Sequence, residues 1–275
     1  MSITSALFTG VSGLVNNGEA MNVIGNNISN VNTTGFKYGR TLFSDMLSAN
    51  VGNNSQIGRG VQMQKVDNVF GQSSFESTEL TTDLAIQGDS FFVVGAPDAA
   101  GPQAAADAYY TRAGAFRVDK DGYLTNPDGY RVLDQARAPI QFNVATFGKI
   151  TKIDSTGAIT YLDKAGAQLT YDGPLGPGTG ASVKLGVALV PDRGMMEKIG
   201  GTLFRAGTDT GITDAMVTAP NGTSERLFSN SLELSNVDMA AQFVKMIVTQ
   251  RAYSANSKTI TTVDEMTQEV LNIKR

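Results

Sequence analysis

The sequence predicts an α+β protein. Its long N- and C-terminal helices pair as a coiled coil, and the segment between them in the sequence forms a central, mainly antiparallel β domain. Three observations predict this class. Residues 235–275 contain neither Gly nor Pro and repeat small or apolar residues in steps of three and four, residues 3–31 carry a similar pattern, and from about residue 61 the apolar period becomes two. We therefore predict a terminal helical domain with its linker at 1–60 and 231–275, and a β-rich domain at 61–230.

The N-terminal helical pattern combines a clear apolar stripe with poor intrinsic helix propensity. Ile3, Leu7, Val11 and Leu14 begin the stripe, which continues to about residue 31. Four glycines interrupt it, and each costs about 1 kcal/mol relative to Ala within a helix. Against a second helix, these glycines would permit close approach. The alternative is an Asn-rich segment without stable structure.

The middle of the chain predicts many short strands separated by turns. Residues 36–47 are expected to be extended or briefly helical, and residues 48–60 are expected to form a Gly/Asn/Ser-rich loop. Turn signals separate the runs, residues 96–108 and 172–182 read as surface excursions, and residues 206–231 read as a turn-rich return. The predicted strands are 61–66, 84–87, 91–94, 109–112, 115–118, 123–125, 130–133, 150–153, 159–162, 183–190 and 203–205.

The C-terminal pattern predicts one long helix that starts near Ser235, with Asp238 three residues later as in a capping box. Its apolar steps form an eleven-residue repeat, which keeps the stripe on one side of a nearly straight helix. From Val237 to Ile273 such a helix would reach roughly 55 Å, which exceeds what one globular domain needs. The stripe therefore requires a partner.

Composition excludes several functional classes. The chain has 275 residues, a net charge of −4 and no Cys, His or Trp. Zinc sites of the Cys/His type and histidine-dependent triads are therefore excluded, and no basic cluster favours nucleic acid. No apolar run reaches the length of a membrane span, so membrane insertion is not expected. The only charged residue before Lys37 is Glu19, which is unlike a secretory signal.

Two loops invite a ligand-binding interpretation. Asp119, Asp121 and Gly122 suggest a calcium loop, but Arg117 stands where the first carboxylate ligand should be, so a hairpin turn is the better interpretation. The glycine cluster at 176–180 lacks the spacing of a phosphate-binding loop. We predict no catalytic residue, no cofactor and no metal.

Several motifs resemble bacterial flagellar rod and hook proteins. Residues 26–37, NNISNVNTTGFK, resemble the N-terminal signature of that family, and residues 235–238, 246–253 and 256–258 resemble its C-terminal signature. Residues 83–88, DLAIQG, and 111–116, TRAGAF, resemble its central motifs. Ser90 departs from the family pattern, which usually has Gly there.

The resemblance implies a structural subunit of the flagellum whose terminal helices pair inside a helical tube walled by the β domain. It also implies a homopolymer, contacts with other axial, junction and cap proteins and with the export apparatus, and export without a cleaved signal peptide. The helix-packing residues are expected to be Leu7, Val11, Leu14, Ile24, Ile28, Val244, Val248, Ala252, Ala255, Val263, Met266 and Val270. The motif residues are Asn26, Asn27, Asn30, Gly35, Phe36, Gln250, Arg251, Tyr253 and Asn256, although Gln250, Arg251 and Tyr253 alone would also fit a solvated polar face.

The sequence motifs of hook and distal rod proteins differ in the segment that follows residues 43–47. Distal rod proteins of this family carry a longer segment after the motif at 43–47, whereas only residues 48–57 separate it here from Gly58. This shortness favours the hook, a flexible joint that transmits torque from rod to filament, although the chain has little room for the outer domain usual in hook proteins. The alternatives are a distal rod subunit, a hook-related basal-body protein, or a non-flagellar extracellular β binding module with a helical stalk.

Overall fold

The described part of the chain folds into two long helices and twenty short strands. The computed structural model describes residues 3–47, 49–52, 55–98, 101–173 and 182–273. Two compact units divide the chain: unit 1 comprises Met1–Val31, Tyr38–Val69 and Val237–Arg275, and unit 2 comprises Asn32–Lys37 and Phe70–Asn236. The terminal helical domain at 1–60 and 231–275 and the β-rich domain at 61–230 remain predictions.

Unit 1 contains both helices and two antiparallel strand pairs. Its elements are α1 (Ile3–Ser29), β1 (Gly39–Asp45), β2 (Ala49–Gly52), β3 (Ser55–Ile57), β4 (Val61–Asn68) and α2 (Met239–Ile273). β1 pairs with β4 from Gly39↔Asn68 to Asp45↔Val61, and β2 pairs with β3. The prediction of a loop at 48–60 is therefore wrong in part, because the backbone of β2 and β3 pairs as a second hairpin within this segment.

The start of α2 differs from the prediction by one turn. The helix begins at Met239, and the Asp238 carboxylate accepts a hydrogen bond from the Ala241 backbone N–H at 3.1 Å. Asp238 is therefore the N-cap, because its oxygen satisfies one of the helix's free amides. The predicted start at Ser235 is wrong, since the Ser235 carbonyl instead accepts a hydrogen bond from Ser73 Oγ at 2.9 Å.

Unit 2 is built from antiparallel strands. They are β5 (Phe75–Ser77), β6 (Leu84–Gln87), β7 (Phe91–Gly95), β8 (Tyr109–Thr111), β9 (Arg117–Val118), β10 (Leu124–Thr125), β11 (Arg131–Val132), β12 (Phe147–Ile153), β13 (Ile159–Asp163), β14 (Gln168–Thr170), β15 (Val187–Ala188), β16 (Glu197–Gly200), β17 (Leu203–Arg205), β18 (Val217–Thr218), β19 (Arg226–Ser229) and β20 (Ser231–Glu233). Short 3-10 helices occupy Arg193–Met195, Thr208–Thr210 and Asp214–Met216.

The largest sheet of unit 2 has nine strands. Seven follow the order β16-β17-β8-β7-β11-β10-β9, while β15 joins β7 to β18. β12-β13-β14 form a separate three-stranded sheet, and β19-β6 and β20-β5 form two further pairs. The α+β class with a mainly antiparallel β region is thus confirmed.

Strand β7 lies between the two hydrophobic cores of unit 2. Phe92 and Val94 belong to one core, and Phe91 and Val93 belong to the other. Successive side chains of a strand point to opposite faces, so a strand covered on both faces must be apolar throughout. This explains the unbroken FFVV run. The Phe92 ring meets Phe116 edge to face, with centroids 5.0 Å apart.

The turns and excursions match the sequence only in part. Gly122 adopts φ 82° and donates a hydrogen bond to the Asp119 carbonyl at 2.9 Å, as the hairpin interpretation requires. By contrast, Ala105 and Ala108 are buried in the second core, so the prediction of a surface excursion at 96–108 is wrong for these residues. The glycine cluster at 176–180 and most of the predicted excursion at 172–182 lie outside the described residues.

A buried carboxylate joins distant segments of unit 2. Glu233 Oε1 lies 2.6 Å from Lys37 Nζ, and Glu233 Oε2 lies 3.4 Å from Arg112 Nη1. The Ser73 backbone N–H donates to the same carboxylate at 3.0 Å. All three charged side chains are at most 2% exposed. Burial lowers the pKa of Lys37, against the opposing effect of Glu233. Their mutual pairing offsets the cost of removing three charges from water.

The TTGFK segment is an integral part of unit 2. Gly35 has φ 68°, and a Cβ there would overlap the backbone nitrogen of Ala113, so only glycine fits. Its N–H donates to the Glu233 carbonyl at 2.8 Å. Phe36 is buried, and Lys198 Nζ lies 3.8 Å from the centroid of its ring. Gly35, Phe36 and Lys37 are therefore held together with the end of β20.

Replacing Lys37 with Met should destabilise unit 2 by about 3–5 kcal/mol, because Glu233 would lose its nearest cation while still buried. Urea unfolding of the full chain, followed by circular dichroism of the β signal, measures this change. Lys65→Met is the matched control: its ion pair with Asp67 is 43% exposed at the lysine, so about 0–1 kcal/mol is expected. Equal losses in the two variants would contradict the structural role of the buried pair.

Candidate assembly surface

Two asparagine side chains of helix α1 form hydrogen bonds with the backbone of the strands of unit 1. Asn27 Nδ2 donates to the Gly39 carbonyl at 2.8 Å, and its Oδ1 accepts from the Gly39 N–H at 2.9 Å. Eleven residues earlier, Asn16 Nδ2 donates to the Val61 carbonyl at 2.9 Å and its Oδ1 accepts from the Met63 N–H at 2.6 Å. An amide side chain carries the same donor and acceptor as a peptide group. The two asparagine side chains therefore make the hydrogen bonds that the backbone of a neighbouring strand would make. This role explains why asparagine occurs at helix positions where its intrinsic propensity is low.

The seam between α1 and α2 is made of small and polar side chains. A Cβ at Gly13 would lie only 2.7 Å from the Asn256 amide, and one at Gly10 would lie 3.1 Å from Ile260. Farther along, Asn27 Nδ2 donates to Gln242 Oε1 at 3.3 Å. Two of the four glycines thus permit close approach, whereas a Cβ at Gly25 would meet nothing within 4 Å.

The predicted packing residues are only partly covered in a single chain. Ile24 and Val263 are buried, and Leu7, Leu14, Ile28 and Ala252 are half-buried. Six others are exposed, namely Val11, Val244, Val248, Ala255, Met266 and Val270. Val244 and Val248 are each 61% exposed. Most of the apolar stripe on α2 therefore has no cover within the described part of the chain.

The apolar stripe of α2 is uncovered because it lies on a different side of the helix from the side that faces α1. At 3.6 residues per turn, Val244, Val248 and Met266 lie roughly 120–160° around α2 from the α1-facing side, which carries Gln242 and Ile260. Helix α1 covers the side of α2 that carries Gln242, Asn256 and Ile260, and it leaves most of the apolar stripe uncovered. A second exposed apolar strip follows α1 itself, at Phe8, Val11 and Val15, which are 70%, 41% and 54% exposed.

The residues of the family motifs are divided between unit 1 and unit 2. Asn27 and Asn256 lie in the α1–α2 seam, whereas Gly35 and Phe36 lie in unit 2. Asn30 Nδ2 donates to the Asn26 carbonyl near the end of α1. Gln250 and Arg251 are exposed on α2, and the Tyr253 ring passes beside Gly18.

The sequence interpretation missed several residues that build this surface. Asn16 and Gln242 carry backbone or seam contacts, and Phe8 and Val15 carry exposed apolar area. Asn16 could have been found because it precedes the motif residue Asn27 by eleven residues, which equals the repeat of the apolar stripe on α2. Gln242 has no such signal, because a single Gln on a helix reads as a surface residue.

Within the described residues, the structure has no helix that is both long and apolar enough to cross a membrane. In the same part of the chain, no cluster of three or more His, Cys, Asp or Glu side chains could hold a metal ion. The salient features of unit 1 are packing surfaces.

Three family models match the chain in order. Residues 7–37 match the flagella basal body rod protein model, and residues 85–161 match the D1 domain model of the flagellar hook protein FlgE/F/G. Residues 229–273 match the model of the flagellar basal body rod FlgEFG protein C-terminal region.

Curated relatives extend this similarity over nearly the whole chain. The flagellar basal-body rod protein FlgG of Bacillus subtilis is 36% identical over 98% of this chain and 99% of its own length. FlgG of Borreliella burgdorferi is 32% identical over 98% of each chain. The flagellar hook protein FlgE of Treponema pallidum is 41% identical, but over 61% of this chain and 40% of its own length. The chain belongs to the flagellar rod and hook family of axial structural proteins.

Proposed function

We propose that this chain is a structural subunit of the flagellar basal-body rod that polymerises with copies of itself into a helical tube. The observation that carries the proposal is the exposed apolar stripe of α2, which α1 leaves uncovered. Exposed, contiguous apolar area on a long helix typically marks an interaction site. In an assembly, neighbouring copies would bury Val244, Val248, Met266 and Val270.

In this proposal α1 and α2 pair as a coiled coil in the inner layer of the tube, and the β-rich domain at 61–230 surrounds them. The Gly10, Gly13 and Asn256 contacts support the pairing, because they bring the two backbones close along one seam. The role is mechanical, with no catalytic step: stiff inner helices resist twisting while torque passes along the tube.

The rod is favoured over the hook by the extent of the similarity. Rod proteins named FlgG match at nearly full length on both sides, whereas hook proteins named FlgE match over less than half of their own length. The hook remains the second candidate, since the segment between the 43–47 motif and Gly58 is short. In a hook subunit, the same helices would permit bending by sliding of neighbouring β domains.

Export without cleavage of a signal peptide, and contacts with the export apparatus and with other axial, junction and cap proteins, belong to the same proposal. Support comes from α1, because Ile3–Ser29 packs on the strands of unit 1 through Asn16 and Asn27. A segment with these contacts is part of the folded subunit.

Val248→Asp should prevent polymerisation while leaving the monomer folded. Its side chain is 61% exposed in the single chain, so monomer stability should change by about 0.5 kcal/mol or less, whereas assembly would bury an unpaired charge. Sedimentation and electron microscopy of the purified chain measure assembly, and thermal unfolding measures the monomer.

Two further variants serve as controls for Val248→Asp, one at a buried position of α2 and one at an exposed position away from the stripe. Val263→Asp should destabilise unit 1 even in the monomer, because Val263 is 6% exposed. Ser254→Asp, an exposed position roughly a third of a turn from the stripe, should reduce assembly much less. Tubes formed normally by Val248→Asp would contradict the proposed packing surface.

Hydrogen exchange on the dilute monomer should distinguish the axial subunit from a binding module with a helical stalk. Residues 3–29 and 239–273 should exchange faster than the strands of unit 2, because most of the apolar stripe on α2 is uncovered in a single chain. On assembly both helices should become protected. Strong protection of both helices in a proven monomer would instead support the stalked module.

A further inference from the structure

An apolar groove lies along the N-terminal half of α1 within unit 1. Its walls come from Ser5, Phe8, Val11, Ser12, Met46 and Arg59, and it encloses about 480 Å³. The Ser12 hydroxyl already donates to the Thr9 carbonyl at 2.9 Å, so its proton needs no ligand. Phe8 and Met46 are both exposed. This lining suits an apolar occupant.

The groove has a fixed shape because the backbone holds its two sides together. The Met46 N–H donates to the Gly60 carbonyl at 3.0 Å. Gly60 has φ 110°, and a Cβ there would overlap the Ser12 hydroxyl, so a side chain would push the strand end away from α1. Arg59 is thereby placed at the rim, exposed, and it forms no ion pair with any described residue.

The C-terminal end of α2 has the complementary character. Met266, Val270 and Ile273 are exposed by 50%, 55% and 84% and follow one side of the helix at i, i+4 and i+7. Glu265 and Glu269 are one residue before the first two of them and are also exposed. They form no ion pair with described residues. An apolar strip edged by two carboxylates fits an apolar groove edged by one guanidinium.

The same copy cannot supply this end to its own groove while the seam is intact. Gly10 faces Ile260 of α2, whereas Phe8 and Val11 lie roughly 160° and 100° around α1 from Gly10. Counting from that contact, Ile3 lies level with about residue 267. The last turns of α2 therefore extend roughly 9 Å past the first described turn of α1.

We propose that the groove formed by Ser5, Phe8, Val11, Ser12, Met46 and Arg59 receives the C-terminal end of α2 from a second copy of this chain. Met266, Val270 and Ile273 enter the groove, and Arg59 pairs with Glu269 at its rim, as in other helix-in-groove contacts. The inference rests on the proposed self-assembly and assigns one of its contacts. Each copy carries both the groove and the helix end, so the contact is head-to-tail and can repeat from copy to copy, which gives an open polymer where the rotation does not close a ring.

Engineered cysteines test the contact directly, because the chain contains none of its own. Met46→Cys and Val270→Cys chains are mixed at a concentration at which the wild type sediments above monomer size, and are then oxidised. The mixture should give a disulfide-linked heterodimer. Asn22→Cys, which is exposed on α1 about 18 Å along the helix from the groove, should link to Val270→Cys far less.

Charge reversal tests the ion pair independently. Arg59→Glu and Glu269→Arg should each raise the concentration needed for assembly roughly tenfold, and the double variant should return to within about threefold of the wild type. Purely additive losses, with no disulfide between positions 46 and 270, would overturn this contact.

Three outcomes separate the possible failures. Wild-type assembly without rescue and without the disulfide would overturn the groove contact and leave the proposed function standing. A chain that stays monomeric at all concentrations would overturn both. A concentration-independent disulfide within a single chain that carries both cysteines would show that its own helix end occupies the groove, which also overturns the proposal.

Discussion

The close approach of α1 and α2 at Gly13 and Asn256 is the constraint that shapes unit 1. Because a Cβ at Gly13 would lie within 2.8 Å of the Asn256 amide, the seam admits almost no side-chain volume. A seam this narrow admits Ile260 opposite Gly10 but excludes most of the large apolar residues of α2. They are left on another side of the helix, where a single chain exposes them. The exposed stripe is therefore a consequence of how tightly the two helices meet.

The amide side chains of α1 solve a second problem created by the same helix. Strands β1 and β4 form a two-stranded sheet, and two strands alone are at most marginally stable. Asn16 and Asn27 supply donors and acceptors to the backbone of these strands and bind them to the helix. Their spacing of eleven residues keeps both on one side of α1. Helix, strands and glycine seam are thus mutually dependent within unit 1.

The sequence predicted the parts of this structure that follow from periodicity. Both long helices, the FFVV strand and the hairpin turn at Gly122 follow from local patterns, and so does the α+β class. Periodicity shows that a surface of α2 is apolar and does not show what covers it. The roles of Val244 and Val248 in packing therefore stay a prediction, and in a single chain the glycines of α1 contact Asn256 and Ile260 instead.

Long-range polar contacts explain most of the other differences. Residues 206–231 were predicted to be a turn-rich return, yet the chain forms β19 and begins β20 within them, because Leu227 is buried and Glu233 is paired with Lys37 and Arg112. No local pattern connects these three charges. Likewise, nothing near Asp238 distinguishes it from Ser235 as a helix cap until the path of the preceding strand is known.

The Lys37–Glu233 pair also carries a consequence for the order of folding. Its partners are 196 residues apart in the chain, and closing so long a loop has an entropic cost that grows with the logarithm of its length. Contacts between residues so far apart slow folding, because the entropy of loop closure is lost before the favourable contact energy is gained. A growing chain that has not yet reached residue 233 holds Lys37 and Arg112 without their carboxylate. Unit 2 can therefore complete its buried ion pairs only after residue 233 has been made.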